Sequence, residues 1–184
     1  MHTTTTSREP RLGIDIGKVI INGPAHPGGG DTAFFTGDEV TMLATPEVPG
    51  AVAAIARLVV RFNAQVWLVS KCGPRIQART RRWLDAHDFY RRTRLAPEHL
   101  QFCRTRRDKR LHCQDLALTH FVDDHPEVHA AIRDVVDHQY FFGPQRRAVP
   151  DYGQHTPTWT EVEHLINQSL PPVSKQEPDS LKTR

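Results

Sequence analysis

The chain has 184 residues, with 24 Lys+Arg against 21 Asp+Glu, 38% hydrophobic residues and three cysteines. A chain of this order can form one core that buries about 70% of its unfolded surface, so neither disulfides nor a structural metal is needed for stability. The net charge of +3 is too small to select partners. Cys72, Cys103 and Cys113 form no CxxC or Cys/His cluster, which argues against a disulfide framework and a zinc site and fits a reducing compartment.

Residues 1–10 are polar and Thr-rich, without the charged-then-apolar order of a secretion signal, and Arg or Asp interrupts every apolar stretch well short of membrane-spanning length. The expectation is a cytoplasmic protein with no membrane partner. Residues 1–10 and 171–184 carry too little apolar surface to offset their ordering entropy and read as disordered tails. They leave 11–170 as a single domain without internal repeats.

Along that domain, residues 12–16 and 18–21 form an apolar, β-branched run with a Gly break, the pattern of a buried strand ending at a sharp turn. A long loop follows over 22–49. Helical spacing of Val52, Ile55, Ala56 and Val59 predicts a helix over 51–62, and 66–69 reads as a second strand ending at Ser70. A helix is predicted over 75–87, a short strand over 100–103, a short helix over 108–116, and a strand over 120–122 running into Asp123-Asp124. A helix over 126–136 has Pro in its first turn, 138–142 reads as a last strand, and Thr158 with Glu161 predicts the capping box of a terminal helix over 158–166. Strands alternating with helices predict an α/β fold, a three-layer α/β/α sandwich around a mainly parallel, Rossmann-like sheet.

Three strands end in polar groups: Asp15, Ser70-Lys71 and Asp123-Asp124. In an open parallel sheet the carboxyl ends of the strands gather in one crevice. Carboxylates crowded there repel one another and call for a cation, most simply a hard one with oxygen ligands such as Mg²⁺. Lys109 precedes the third of these strands and is placed to close the site. Asp and Ser also end strands because they favour turns and caps, but the four features in this order coincide far less easily.

In that order the residues resemble the haloacid dehalogenase superfamily, most of whose members are phosphatases. The matching segments are Leu12-Gly13-Ile14-Asp15-Ile16-Gly17, Val66-Trp67-Leu68-Val69-Ser70, Lys109 and Phe121-Val122-Asp123-Asp124, and the resemblance spans residues 11–143. It implies a Mg²⁺-dependent hydrolase in which Asp15 attacks phosphorus and forms an aspartyl-phosphate. Asp15, the Gly17 carbonyl and Asp123 or Asp124 would hold the metal. Ser70, Lys71 and Lys109 would bind the phosphoryl group, with Lys109 also neutralising the nucleophile. The implied substrate is a phosphomonoester, a small molecule rather than a macromolecule.

The sequence departs from that family at Gly17, where its phosphatases carry a second Asp as acid and base, a function worth about 10²–10⁴-fold in rate. Three outcomes follow. The leaving group needs no proton; another residue supplies it, from among His26, Asp31, Asp38, Glu39 and His125; or the domain is a degenerate phosphate- or metal-binding or protein-interaction module. The 22–49 loop has the length of a flap but is too short for a cap domain, so the site is expected to be open, with Phe34-Phe35 acting as a lid or packing the flap onto the body. Dehalogenation leaves the Asp pair without a role. A sugar-kinase reading of the Gly13–Gly17 segment requires a second domain for which this chain has no room.

Residues 75–110 carry twelve Arg or Lys against four Asp or Glu. Such a segment steers anions and can track a nucleic-acid backbone. With no aromatic-interleaved RNA motif or recognition-helix signature, a solvated face is favoured over nucleic acid.

Overall fold

The computed structural model describes residues 8–27 and 30–172. Apart from 8–10 and 171–172, the expected tails lie outside the described residues, as do Gly28 and Gly29 of the flap. Six strands, β1 (Leu12–Ile14), β2 (Val66–Lys71), β3 (Leu100–Cys103), β4 (His120–Asp123), β5 (His138–Phe142) and β6 (Gln154–Thr156), form one sheet in the order β3-β2-β1-β4-β5-β6. Every pairing is parallel. The helices are α1 (Asp31–Thr36), α2 (Glu39–Leu43), α3 (Ala51–Arg61), α4 (Pro74–Ala86), α5 (Phe89–Thr93), α6 (Lys109–Asp115), α7 (Pro126–Ile132) and α8 (Trp159–Ser169).

Alternation along the strands divides the core in two. Leu12, Ile14, Val66, Leu68, Val122 and Tyr140 face one way and pack with α3, α5 and α8 residues such as Ile55, Phe89 and Val162. Trp67, Val69 and Phe121 face the other way, against Cys113 of α6 and Val128 and Ile132 of α7. The result is the expected Rossmann-like three-layer sandwich, with both faces of a parallel sheet covered. Gly13 serves this packing directly, because a Cβ there would stand 2.5 Å from the Phe121 ring. No helix among the described residues is long and apolar enough to cross a membrane.

Several local expectations need correction. The first strand covers Leu12–Ile14 and ends just before Asp15, so residues 16–21 of the apolar run lie beyond it. Residues 18–21 instead fold into a turn, with the Ile20 and Ile21 amides both donating to the Ile16 carbonyl at 2.8 and 3.0 Å. The apolar side chains that suggested a strand are still buried. The 22–49 segment is not simply a loop, since it holds α1 and α2, the latter capped by the Asp38 carboxylate accepting from the Thr41 amide at 2.8 Å. Helices of five or six residues are too short for apolar periodicity to reveal. α5 was hidden for the same reason, between left-handed residues Asp88 and Arg94. The strand at 138–142 is not the last: β6 adds an edge, and its sequence Gln-His-Thr shows no apolar alternation. α7 stops at Ile132 because Val135 and Val136 turn back onto the Ile132 carbonyl before β5 begins. At α8 the Thr158 hydroxyl caps the helix as expected, accepting from the Thr160 amide at 3.2 Å and donating to the Glu161 carboxylate.

Candidate functional site

The chain runs β1-β2-β3 to one side of the sheet and then returns to lay β4 on the other side of β1. At such a switch point the loops leaving two adjacent strands diverge and open a crevice at their carboxyl ends. Asp15 follows β1 and Asp123 ends β4, with the Asp15 amide donating to the Val122 carbonyl at 2.9 Å. The two carboxylates are thereby brought side by side, and Ser70 and Lys71 finish β2 on the other flank.

Lys109, the first residue of α6, is only 2% exposed and reaches between the carboxylates. Its Nζ donates to Asp15 Oδ1 at 2.6 Å and to Asp123 Oδ2 at 2.7 Å. The other Asp123 oxygen accepts from the His125 amide at 2.8 Å. Beneath it, His129 lies against the Asp123 carbonyl at 3.0 Å and the Gln139 side chain at 3.1 Å, its ring stacked on Phe141. Asp124 is different: among the described residues no hydrogen bond or ion pair ends on its carboxylate. Single oxygens of Asp15, Asp123 and Asp124 lie within 4.8 Å of one another.

One cation among three carboxylates leaves the cluster net negative in a dry environment. Burial pushes the Asp15 carboxyl up to about 7; Lys109 opposes the shift and Asp123 adds to it. Asp124 is raised by the same causes, burial first and then the Asp123 charge. Burial also disfavours the Lys109 ammonium, but the charges of Asp123 and Asp15 outweigh it and hold the group protonated beyond the ordinary lysine range. The donor set fits a small divalent cation. All three side chains offer hard oxygens, both Asp124 oxygens have no other partner among the described residues, and the excess charge is negative.

The cluster forms the floor of a cavity of about 420 Å³. Gly17 and Lys18, Ser70 through Gly73, Arg106 and His125 line it, and Phe34, Phe35 and Ile76 form an apolar wall. Lys18 adopts a left-handed conformation (φ 63°), unusual for a residue with a Cβ, and its Nζ lies 3.7 Å from Asp31. Gly73 caps the N-terminus of the 13-residue α4, whose dipole favours an anion in the cavity. Lys71 has no carboxylate partner among the described residues.

All seven residues expected at the site, Asp15, Gly17, Ser70, Lys71, Lys109, Asp123 and Asp124, line this one cavity. Of the proposed proton suppliers, Asp31 and His125 also line it. The others are engaged elsewhere: Asp38 caps α2, Glu39 pairs with Arg82 at 2.5 Å, and His26 lies 2.7 Å from the Thr41 carbonyl. Arg106, Cys72 and Gly73 were not anticipated. Arg106 was one arginine among twelve basic residues of a run, and no sequence signal set it apart.

Most of that basic run is occupied within the fold. Arg79 donates to the Phe34 and Gly37 carbonyls at 2.7 and 2.6 Å and Arg75 to the Phe35 carbonyl, tying α1 to α4. Arg91, Arg92, Arg107 and Arg110 pair with Asp88, Glu47, Glu127 and Asp134. The three cysteines are buried and free. No protein-family model matches the chain, and no curated protein matches it.

Proposed function

We propose that this chain is a Mg²⁺-dependent phosphohydrolase of the haloacid dehalogenase type, cleaving a phosphomonoester through an aspartyl-phosphate on Asp15. The observation that carries this reading is Lys109, buried and bonded at once to Asp15 and Asp123 beside an unpaired Asp124, at the floor of a cavity on the sheet's switch point. A structural ion pair has no need of a third, half-buried carboxylate or of an opening to solvent.

By holding Asp15 Oδ1, Lys109 leaves Oδ2 free to attack phosphorus and fixes its direction. The Ser70 hydroxyl, the Lys71 ammonium and the Gly73 amide before α4 would bind phosphoryl oxygens, whose charge grows in the transition state. Asp15 and Asp124, with the Gly17 carbonyl, would hold the metal, and Asp123 would orient Lys109. A bound magnesium ion would keep Asp15 ionised and screen the phosphoryl charge. Water then attacks phosphorus in the aspartyl-phosphate, and the Asp15 carboxylate is released with inorganic phosphate.

A second reading, a phosphate- or metal-binding module with little turnover, is favoured by Gly17 alone, which cannot move a proton. One experiment separates the two: phosphate release from phosphomonoesters, nucleotides and acyl phosphates, with Mg²⁺ or excess chelator, by wild type and Asp15→Asn. The hydrolase reading expects metal-dependent turnover lost in the variant, with Mg²⁺ raising the thermal midpoint of wild type but not of Asp124→Asn. Midpoint shifts without turnover on any substrate would leave the binding module. Turnover persisting in Asp15→Asn would remove Asp15 as nucleophile.

A further inference from the structure

We propose that the cavity accepts phosphate monoesters of phenols, with the ring lying against Phe35 between α1 and α4 and the ester oxygen leaving as phenolate. This rests on the hydrolase reading above and adds the substrate class. Two independent features of the cavity converge on it.

The first is the missing proton donor. A Cβ at Gly17 would meet no atom within 4 Å, so the turn beside Asp15 is open space where a protonating side chain could stand and none does. The other carboxylates lining the cavity are engaged: Asp31 pairs with Lys18 at 3.7 Å, and Asp123 holds Lys109 and the His125 amide. Asp124 belongs to the metal donor set. A leaving group that departs unprotonated suits such a site, and a phenol ionises near 10, as tyrosine does, well below an alkanol.

The second is the aromatic wall. Phe35 is 43% exposed, and of the exposed large apolar residues it alone lines the same cavity as Asp15 and Lys109 among the described residues. Phe34 stands edge-on to it, with ring centroids 5.8 Å apart, and Ile76 of α4 lies on the same wall. Arg75 and Arg79 clamp the carbonyls of Phe34, Phe35 and Gly37, so the wall is held in place before a ligand arrives. A volume of about 420 Å³ suits a single small aromatic ester.

The step balances without a further reagent. An Asp15 carboxylate oxygen bonds to phosphorus as the phosphorus–aryl oxygen bond breaks, and its electron pair leaves on the phenolate, which takes a proton from water. A second water adds to phosphorus, the bond to Asp15 breaks, and its protons pass to inorganic phosphate and solvent.

The test compares phenyl phosphate with benzyl phosphate, which has the same ring but an alkoxide leaving group, in the full chain with Mg²⁺. Calorimetric binding of phenylphosphonate and methylphosphonate reads the ring site without turnover. Expected are a kcat/KM for phenyl phosphate at least about 100-fold above benzyl phosphate, and phenylphosphonate binding about tenfold tighter than methylphosphonate. In Phe35→Ala the phenylphosphonate preference should vanish, and the ratio of KM for phenyl phosphate to KM for ring-free acetyl phosphate should rise about tenfold; Phe35→Leu should fall between. Phosphotyrosine, free and in a peptide, tells a small-molecule source from a protein one, and turnover of either supports the class. Equal rates on phenyl and benzyl phosphate, or equal binding of the two phosphonates, would overturn the proposal while leaving an Asp15- and Mg²⁺-dependent hydrolase intact. Hydrolysis that survives in Asp15→Asn, or that is absent on every ester, would instead bring down the hydrolase reading and the leaving-group argument with it.

Discussion

Strand β4 is four residues long, and its two ends solve the problem of buried polarity in opposite ways. At the amino end, the His120 ring lies 2.7 Å from the Thr119 hydroxyl and 2.9 Å from that of Ser169, Tyr140 reaches the same serine at 3.3 Å, and His138 stacks on the imidazole at 4.4 Å. Burial, reinforced by His138, pushes the His120 pKa down to about 3, so the imidazole is held neutral inside a network of hydroxyl groups. At the carboxyl end, Lys109 lies between the Asp15 and Asp123 carboxyl groups, a third carboxylate is unpaired among the described residues, and the cluster opens to a cavity. A neutral network needs nothing further. A net negative one under an opening gains from a cation and a ligand, and that difference marks the functional end of the sheet.

The contrast breaks most sharply at Lys109. Lys109→Met leaves two buried carboxylates without their counter-charge and should cost about 3–5 kcal/mol in urea unfolding at neutral pH. A loss under 1 kcal/mol would mean that the carboxyl end is as self-sufficient as the amino end.

Asp15 sharpens it next. Its folded pKa of about 7 lies above the unfolded value of 3.8, so its contribution to stability is full below pH 3.8 and is lost as pH rises through 7. In chelator, Asp15→Asn should therefore match wild type near pH 4 and exceed it by ~4 kcal/mol at pH 8. Wild type remaining the more stable at pH 8 would show that Lys109 fully offsets the buried charge.

The smallest effect belongs to the amino end. The folded pKa of His120, about 3, lies below the unfolded 6.5, so the unfolded chain takes the proton first. Stability is full above 6.5 and falls as pH drops toward 3, by about 2 kcal/mol at pH 5. Urea midpoints at pH 7.5 and 5 should differ less in His120→Gln than in wild type; identical differences would locate the acid sensitivity elsewhere.

Much of this was legible in local sequence. Apolar runs at 66–69, 120–122 and 138–142, separated by helical spacing, determine a parallel α/β sheet, because period and length are properties of neighbouring residues. Asp15 after the first strand, and Ser70 and Asp123 after the runs at 66–69 and 120–122, then gather at one end of the sheet. Elements too short for a period were not legible, and so α1, α2, α5 and β6 emerged only in the fold. The tertiary structure alone decided which charges meet. Lys109 and Asp15 are 94 residues apart, and their contact depends on β4 lying beside β1. The same holds for Asp124, which stands beside the two carboxylates that Lys109 bonds yet has no hydrogen bond or ion pair of its own among the described residues, and for Arg75 and Arg79, which look like any others in a basic run until α1 folds against them. Hydrophobic pattern is written locally; the pairing of buried charges follows from topology.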